Sequence, residues 1–199
     1  MRCRPQDIIR TSEMRQVRNY RNGDTEDIIT TILRMDNEAD RYVNKEAAQC
    51  LRGNGDYETM RNVWKFVKSN VKYRTDRQVK EVVKSPAALF NLKSGDCKSF
   101  SISEAALLRA LGFKGIRYRF ASYGNSKEVT HVYIVAKMRG EDVILDAVHS
   151  QFDDEVQYTW KKDIPAVTGG KVSGIHGPVQ NYSFMQLVGL GLLAWAIFR

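Results

Sequence analysis

At Gly112 the hydrophobic period of this chain changes, and that change constrains its fold more than any other feature. Upstream, apolar residues recur every three or four positions; downstream, Ile116, Tyr118, Phe120 and Ser122 alternate with Arg117, Arg119 and Ala121. Helices first and strands second is an α+β order. The 199 residues, 43% hydrophobic and 27% charged, suffice for one ordinary domain with a substantial core and modest extensions. Two large domains do not fit, and the composition excludes a disordered, collagen-like or multi-span membrane chain.

Local signals place the elements. Asp24 or Thr25 can cap a helix, Glu26 and Asp27 suit its positive end, and Ile28, Ile29, Ile32 and Leu33 carry it toward Cys50. Asp56 is expected to cap a second helix, whose stripe of Met60, Val63, Trp64, Phe66, Val67 and Val71 opposes Arg61, Lys65, Lys68 and Lys72. Pro86 suits the first turn of a short helix ending near Leu92, and Lys93-Ser94-Gly95-Asp96 then breaks the chain. A helix from Cys97 to Leu111 follows, with Asp96 as its cap. Strands are expected at 116–122, 130–138 and 142–148, the last two joined by a hairpin turn at Arg139-Gly140-Glu141.

The ends differ from the body. Residues 1–23 carry six arginines against Asp7 and Glu13 and read as a basic arm; 24–165 form the domain with its N-terminal helical extension; 166–183 are a Gly-rich connector. Residues 184–199 form an apolar tail, about 22 Å long as a helix and shorter than the roughly 20 residues a bilayer core needs. It suits a short membrane anchor, a helix docked in a protein groove or an oligomer contact. The net charge of +8 favours anionic partners, and residues 60–84 concentrate it. Without aromatic interleaving that stretch reads as a solvated face, leaving nucleic acid a minor candidate partner. Cys3, Cys50 and Cys97 form no even set at framework spacing, and residues 1–16 lack the apolar core of a secretory signal; thiols in a reducing, cytoplasmic compartment are expected, Cys3 as a tail thiol and Cys50 as a helix-end residue.

Cys97 stands apart because it opens a helix, where unsatisfied N–H groups and the helix dipole favour a thiolate. His131 lies 34 residues on and Asp146 another 15, near facing ends of the expected hairpin. In simple register the two are offset, so joining them takes a bulge, a wider turn or a diagonal contact. Imidazole would then take the thiol proton, the carboxylate would hold the ring's tautomer, and the sulfur would attack a carboxamide, giving acyl transfer through a thioester. The Cys97 N–H is one candidate oxyanion donor. Tyr133, two residues from His131, Tyr73 and Tyr123 are candidates for lining a groove; Trp64 reads as core. His149 is an alternative base past the strand end, and His176 a loop residue. No His, Cys and carboxylate set has metal-ligand spacing, so neither metal nor cofactor is expected.

Gly95-Asp96-Cys97-Lys98-Ser99-Phe100-Ser101, with the run from Ala105 to Phe113, resembles the nucleophile segment of the transglutaminase-like superfamily. Thr130 to Val135 resembles that family's His strand, Val143 to Ala147 its Asp strand, and Trp64 to Tyr73 with Pro86 its upstream helix and turn. The likeness spans Asp56 to Phe152, about half the chain. It implies a papain-like α+β fold, N-terminal helices packed on an antiparallel sheet, with Cys97 as nucleophile, His131 as general base and acid, and Asp146 as orienting group on a neighbouring strand. Lys98 and Ala147 depart from the family's usual acidic or small residue and proline. The reading is a cysteine-dependent enzyme hydrolysing a peptide or amide bond in a peptide or protein substrate. The alternative is a non-catalytic scaffold of the same fold in a viral particle or membrane-associated assembly, held by the apolar tail.

Overall fold

The computed structural model describes residues 3–12, 17–20, 25–75, 81–126 and 128–167. The tail at 184–199 and all but the start of the connector, His176 included, lie outside the described residues, as do parts of the expected arm. Six helices and eight strands appear among the described residues. They are α1 (Pro5–Ile8), β1 (Val17–Tyr20), α2 (Thr25–Ala39), α3 (Lys45–Ala48), α4 (Asp56–Asn70), β2 (Lys72–Tyr73), β3 (Glu81–Lys84), α5 (Pro86–Leu92), β4 (Ser94–Gly95), α6 (Cys97–Ala110), β5 (Arg117–Ser122), β6 (His131–Met138), β7 (Glu141–Leu145) and β8 (Trp160–Pro165). Helices pack on one antiparallel sheet of order β7-β6-β5-β8, the expected α+β arrangement.

The central element is α6. Its residues from Lys98 to Leu108 are all buried, because α2, α4 and α5 flank it and β6 covers it. Small side chains let it approach the sheet: Ser101 Oγ lies 2.8 Å from the Cys97 carbonyl and 3.0 Å from the Val132 carbonyl, sharing its one proton between them. Val132, Ile134 and Ala136 of β6 meet this helix, with Tyr118 and Phe120 of β5 and Leu145 of β7 in the same core. Arg139 and Gly140 both have positive φ, the two-residue turn that matches the twist of the β6–β7 hairpin.

Several boundaries differ from expectation. The first long helix stops at Ala39 instead of reaching Cys50, because the chain turns there to pair with the N-terminal segment: Ile9 bridges Val43, Arg10 N–H donates to the Tyr42 carbonyl and Asn44 N–H to the Ile8 carbonyl. Asn44 then caps α3. Asp56 does not cap α4; Gly55 precedes the helix, and Glu58 and Thr59 reach back to accept from the Asn54 and Gly53 N–H groups at 2.6 and 3.0 Å. The strand expected to reach Val148 ends at Leu145. Strands β1 to β4, upstream of the change of period, were not expected, and neither was β8. Strand β8 carries exposed Lys161 and Lys162 on an edge, where charge discourages further pairing and erases the apolar alternation of a central strand.

The described part of the N-terminal segment is no loose arm. Ile8 and Ile9 are wholly buried, and Cys3 is disulfide-bonded to Cys50 across a Cα separation of 5.7 Å. Cys3 and Cys50 are therefore not the free thiols expected; a spacing of 47 residues carries no local sign of pairing. No helix among the described residues is long and apolar enough to cross a membrane.

Candidate active site

The approach to Cys97 is held from both sides. Tyr73 of β2 pairs with Gly95 of β4, and Arg74 N–H donates to the Gly95 carbonyl at 2.8 Å. A Cβ at position 95 would press on the Leu89 side-chain tip, so glycine lets the strand pass close to α5 without displacing it. Asp96 caps α6 as expected, its Oδ1 accepting from the Ser99 N–H at 3.3 Å and the Ser99 hydroxyl at 3.1 Å, while its other oxygen pairs with Lys98. Cys97, half-buried and outside the disulfide, thus stands at the first position of a rigid helix, where its own N–H has no intrahelical acceptor.

His131 opens β6 and Asp146 follows β7. The ladder sets Ile134 opposite Leu145, so His131 and Asp146 are not directly opposed. A diagonal contact joins them: His131 Nε2 lies 2.6 Å from Asp146 Oδ2. The other carboxylate oxygen accepts the Val148 N–H at 3.0 Å. With Nε2 engaged by Asp146, Nδ1 is the ring nitrogen left for Cys97. Burial opposes charge on His131, but hydrogen bonds to Asp146 and Cys97, together with their charges, lift its pKa to about 10. The imidazolium is thereby the resting form at neutral pH. The structure brings together Cys97, His131 and Asp146.

Helix α4 locks the turn that carries Asp146. Trp64 Nε1–H donates to the Asp146 carbonyl at 2.8 Å, and Lys68 Nζ to the Ala147 and His149 carbonyls at 3.2 and 2.7 Å. Trp64 packs against the core as expected, yet its N–H also reaches the site, which its place on an apolar stripe could not reveal. His149 instead turns toward Asp154, 3.5 Å away.

Tyr133 does not line a groove. It is buried, its ring centroid 5.6 Å from that of His131, and its hydroxyl donates to Glu155 at 2.7 Å. Tyr123 lies on the other flank of His131 at 6.1 Å, and the more exposed Tyr73 meets Phe100 edge-on. Burial, with the nearby Cys97 and Asp96 charges, raises the Tyr73 pKa, keeping its hydroxyl protonated.

Sequence reasoning missed Glu104, which lies two helical turns after Cys97. It is fully buried, and neither carboxyl oxygen has a well-formed hydrogen bond. Burial first, then the Asp146 charge, pushes its pKa well up, while His131, Lys68 and the Ala147 N–H only partly offset this. These influences favour the neutral acid form of Glu104 beside the Asp146 turn. The available signal was its spacing from Cys97 and Ser101 on one helical stripe within an otherwise apolar or small-residue run.

A pocket of about 110 Å³ opens beside Cys97 and His131, walled by Ile28, Lys98, Phe120, Val129, Thr130 and Val132. Among the described residues no group of three or more His, Cys, Asp or Glu is arranged to hold a metal ion. A sulfur, a proton-carrying imidazole and an orienting carboxylate are the parts that nucleophilic acyl chemistry uses.

The profile of the Transglutaminase-like superfamily matches residues 45–162, which is 118 of the 199 residues. The chain belongs to the transglutaminase-like superfamily. The matched stretch includes Cys97, His131 and Asp146 and leaves α1, β1 and α2 outside. Similar solved structures include LapG of Legionella pneumophila in its calcium-bound form, 21% identical over 66% of this chain and 68% of that one at a TM-score of 0.45. The EGTA-treated form is 20% identical over 61% of this chain and 73% of that one, at 0.44. A TGase is 13% identical over 69% of this chain and 36% of that one, at 0.36. These are partial likenesses, and family membership rests on the 45–162 match. No curated protein matches the chain.

Proposed function

We propose that this superfamily member is a cysteine-dependent acyl-transfer enzyme that hydrolyses a peptide or amide bond in a peptide or protein substrate. The observation that carries the reading is the 2.6 Å contact of His131 Nε2 with Asp146, which leaves Nδ1 to serve a cysteine at a helix N-terminus. The Cys97 sulfur attacks the carbonyl carbon, and the carbonyl π electrons move onto oxygen, where the Cys97 N–H is placed to donate. As the tetrahedral adduct collapses, the C–N bond breaks and His131 gives its proton to the departing amine. A thioester remains. Water then adds to it while His131 takes the water proton, and the C–S bond breaks to release the acid and return the electron pair to the Cys97 sulfur. Asp146 holds the ring and balances its charge throughout.

Iodoacetamide labelling at pH 7 tests the activated pair without a known substrate. An ordinary thiol is only a few per cent thiolate at that pH, so Cys97 should label roughly tenfold or more faster than Cys97 in a His131→Ala variant. Equal rates would leave a family fold without an activated nucleophile. Cleavage of a mixed peptide library that disappears on Cys97→Ala is the expected companion result.

A further inference from the structure

We infer that the pocket beside Cys97 receives one small aliphatic side chain, that of the residue supplying the attacked carbonyl, and that Ile28 sets its depth. The inference rests on the proposed acyl transfer at Cys97. Ile28, Phe120, Val129 and Val132 wall the pocket with hydrocarbon, and half-buried Val129 and exposed Thr130 lie toward its rim. Lys98 adds its aliphatic stem while its ammonium pairs with Asp96. A cationic substrate side chain would meet that ammonium, and an anionic one would compete with Asp96 for it. A volume of about 110 Å³, at about 30 Å³ per water-sized group, holds about three to four non-hydrogen atoms. The three or four carbons of a valine or leucine side chain match that volume more closely than the seven of a phenylalanine. Because Cys97 and His131 are themselves part of the lining, the side chain that enters belongs to a residue within a bond or two of the attacked carbon.

Ile28 gives this pocket its particular character. It comes from α2, outside the 45–162 stretch shared with the family. The helix is rigidly seated: Ile29, Ile32 and Met35 lie in the core, and Arg109 of α6 grips Asp36 and Asp40, each at 2.7 Å. The extension therefore supplies a specificity wall to a site whose reactive groups all lie in the shared core.

The test uses the full chain and three probes, N-acetyl-alanyl, N-acetyl-valyl and N-acetyl-phenylalanyl chloromethyl ketone. Each forms a C–S bond to Cys97 as the C–Cl bond breaks and chloride leaves. Rates are divided by those with free cysteine, and iodoacetamide runs alongside. One methylene in an apolar pocket discriminates roughly 10–200-fold, so the alanyl and valyl probes should label at least tenfold faster than the phenylalanyl probe. Ile28→Ala should raise the phenylalanyl rate at least fivefold relative to the alanyl rate. Ile28→Trp should slow the valyl probe at least tenfold more than it slows iodoacetamide. Equal native rates for valyl and phenylalanyl, or ratios unmoved by both Ile28 substitutions, would overturn the pocket while His131-dependent iodoacetamide labelling left the acyl-transfer reading standing. Labelling by iodoacetamide that ignores His131 would sink that reading and this inference with it.

Discussion

Two charge clusters share one face of the β-sheet, separated by the Tyr133 ring. In one, Arg119 is bound by Asp163 at 2.7 Å, Glu155 at 2.6 Å and Asp142 at 3.0 Å. In the other, His131 has a single carboxylate partner, Asp146, and a thiol beside it. The Arg119 cluster is larger, yet it holds no proton that moves near neutrality. The Asp163 hydrogen bond, with those of Glu155 and Asp142, raises the arginine pKa further despite burial. Burial alone would raise the Asp142 pKa, but hydrogen bonds from Lys137, Arg119 and Arg117 hold it well below the usual carboxylate range. Satisfied buried charge is architecture; charge beside an exchangeable proton is chemistry.

The contrast breaks most visibly under substitution. Cys97→Ala should abolish turnover at nearly unchanged Tm, and Asp146→Asn should reduce turnover by roughly 10²–10⁴-fold while giving up the stability that the charged pair with His131 supplies, since the amide keeps the shape but loses the charge and the tautomer control. Peptide cleavage beside a melting curve checks both. Arg119→Met should do the reverse, costing about 2–4 kcal/mol in urea denaturation while iodoacetamide labelling of Cys97 keeps its native rate; its carboxylate partners are partly exposed, which moderates the loss.

Acid and base should separate the clusters as well. His131 is raised to about 10 in the fold from an ordinary 6.5, so its stabilising contribution is complete below about pH 6.5 and drains away as pH climbs toward 10. The depressed Asp142 and Asp163 work in the opposite sense, contributing fully above about pH 4 and losing that contribution as pH falls through their folded values. Urea midpoints across pH should therefore lose the alkaline slope in His131→Gln and the acid slope in Asp142→Asn. The smallest change belongs to Glu104→Gln. A neutral acid replaced by a neutral amide should leave the pH dependence of Cys97 labelling within about threefold, whereas a midpoint shifted by a full pH unit would mean that Glu104 is ionised.

Much of this was legible in the chain, for reasons that differ residue by residue. Pro86 announced α5, Asp96 announced α6, and Gly112 marked the change of period, because caps and periodicities act over three or four residues, while the Ser85 cap of α5 went unread. Trp64 was placed on its apolar stripe correctly, but the carbonyl its N–H reaches is 82 residues away. Glu104 drew no notice in the sequence, and its burial came from the sheet and α4 closing around α6. Tyr133 shares a strand face with His131, as alternation requires, and only the segment carrying Glu155 determined that this face is covered.

Local physics in the sequence alone settled the starts of α2, α4, α5 and α6, the change to the strands β5, β6 and β7 and the place of Cys97 at a helix N-terminus, since hydrogen bonds within a turn and side-chain alternation need no distant partner. Tertiary structure decided the stop of α2 at Ala39, the Cys3–Cys50 link, the edge strand at Trp160–Pro165 and the diagonal meeting of His131 with Asp146. Each of those depends on segments far apart in the chain arriving side by side, and the free energy of burying them together is written in no single stretch of residues.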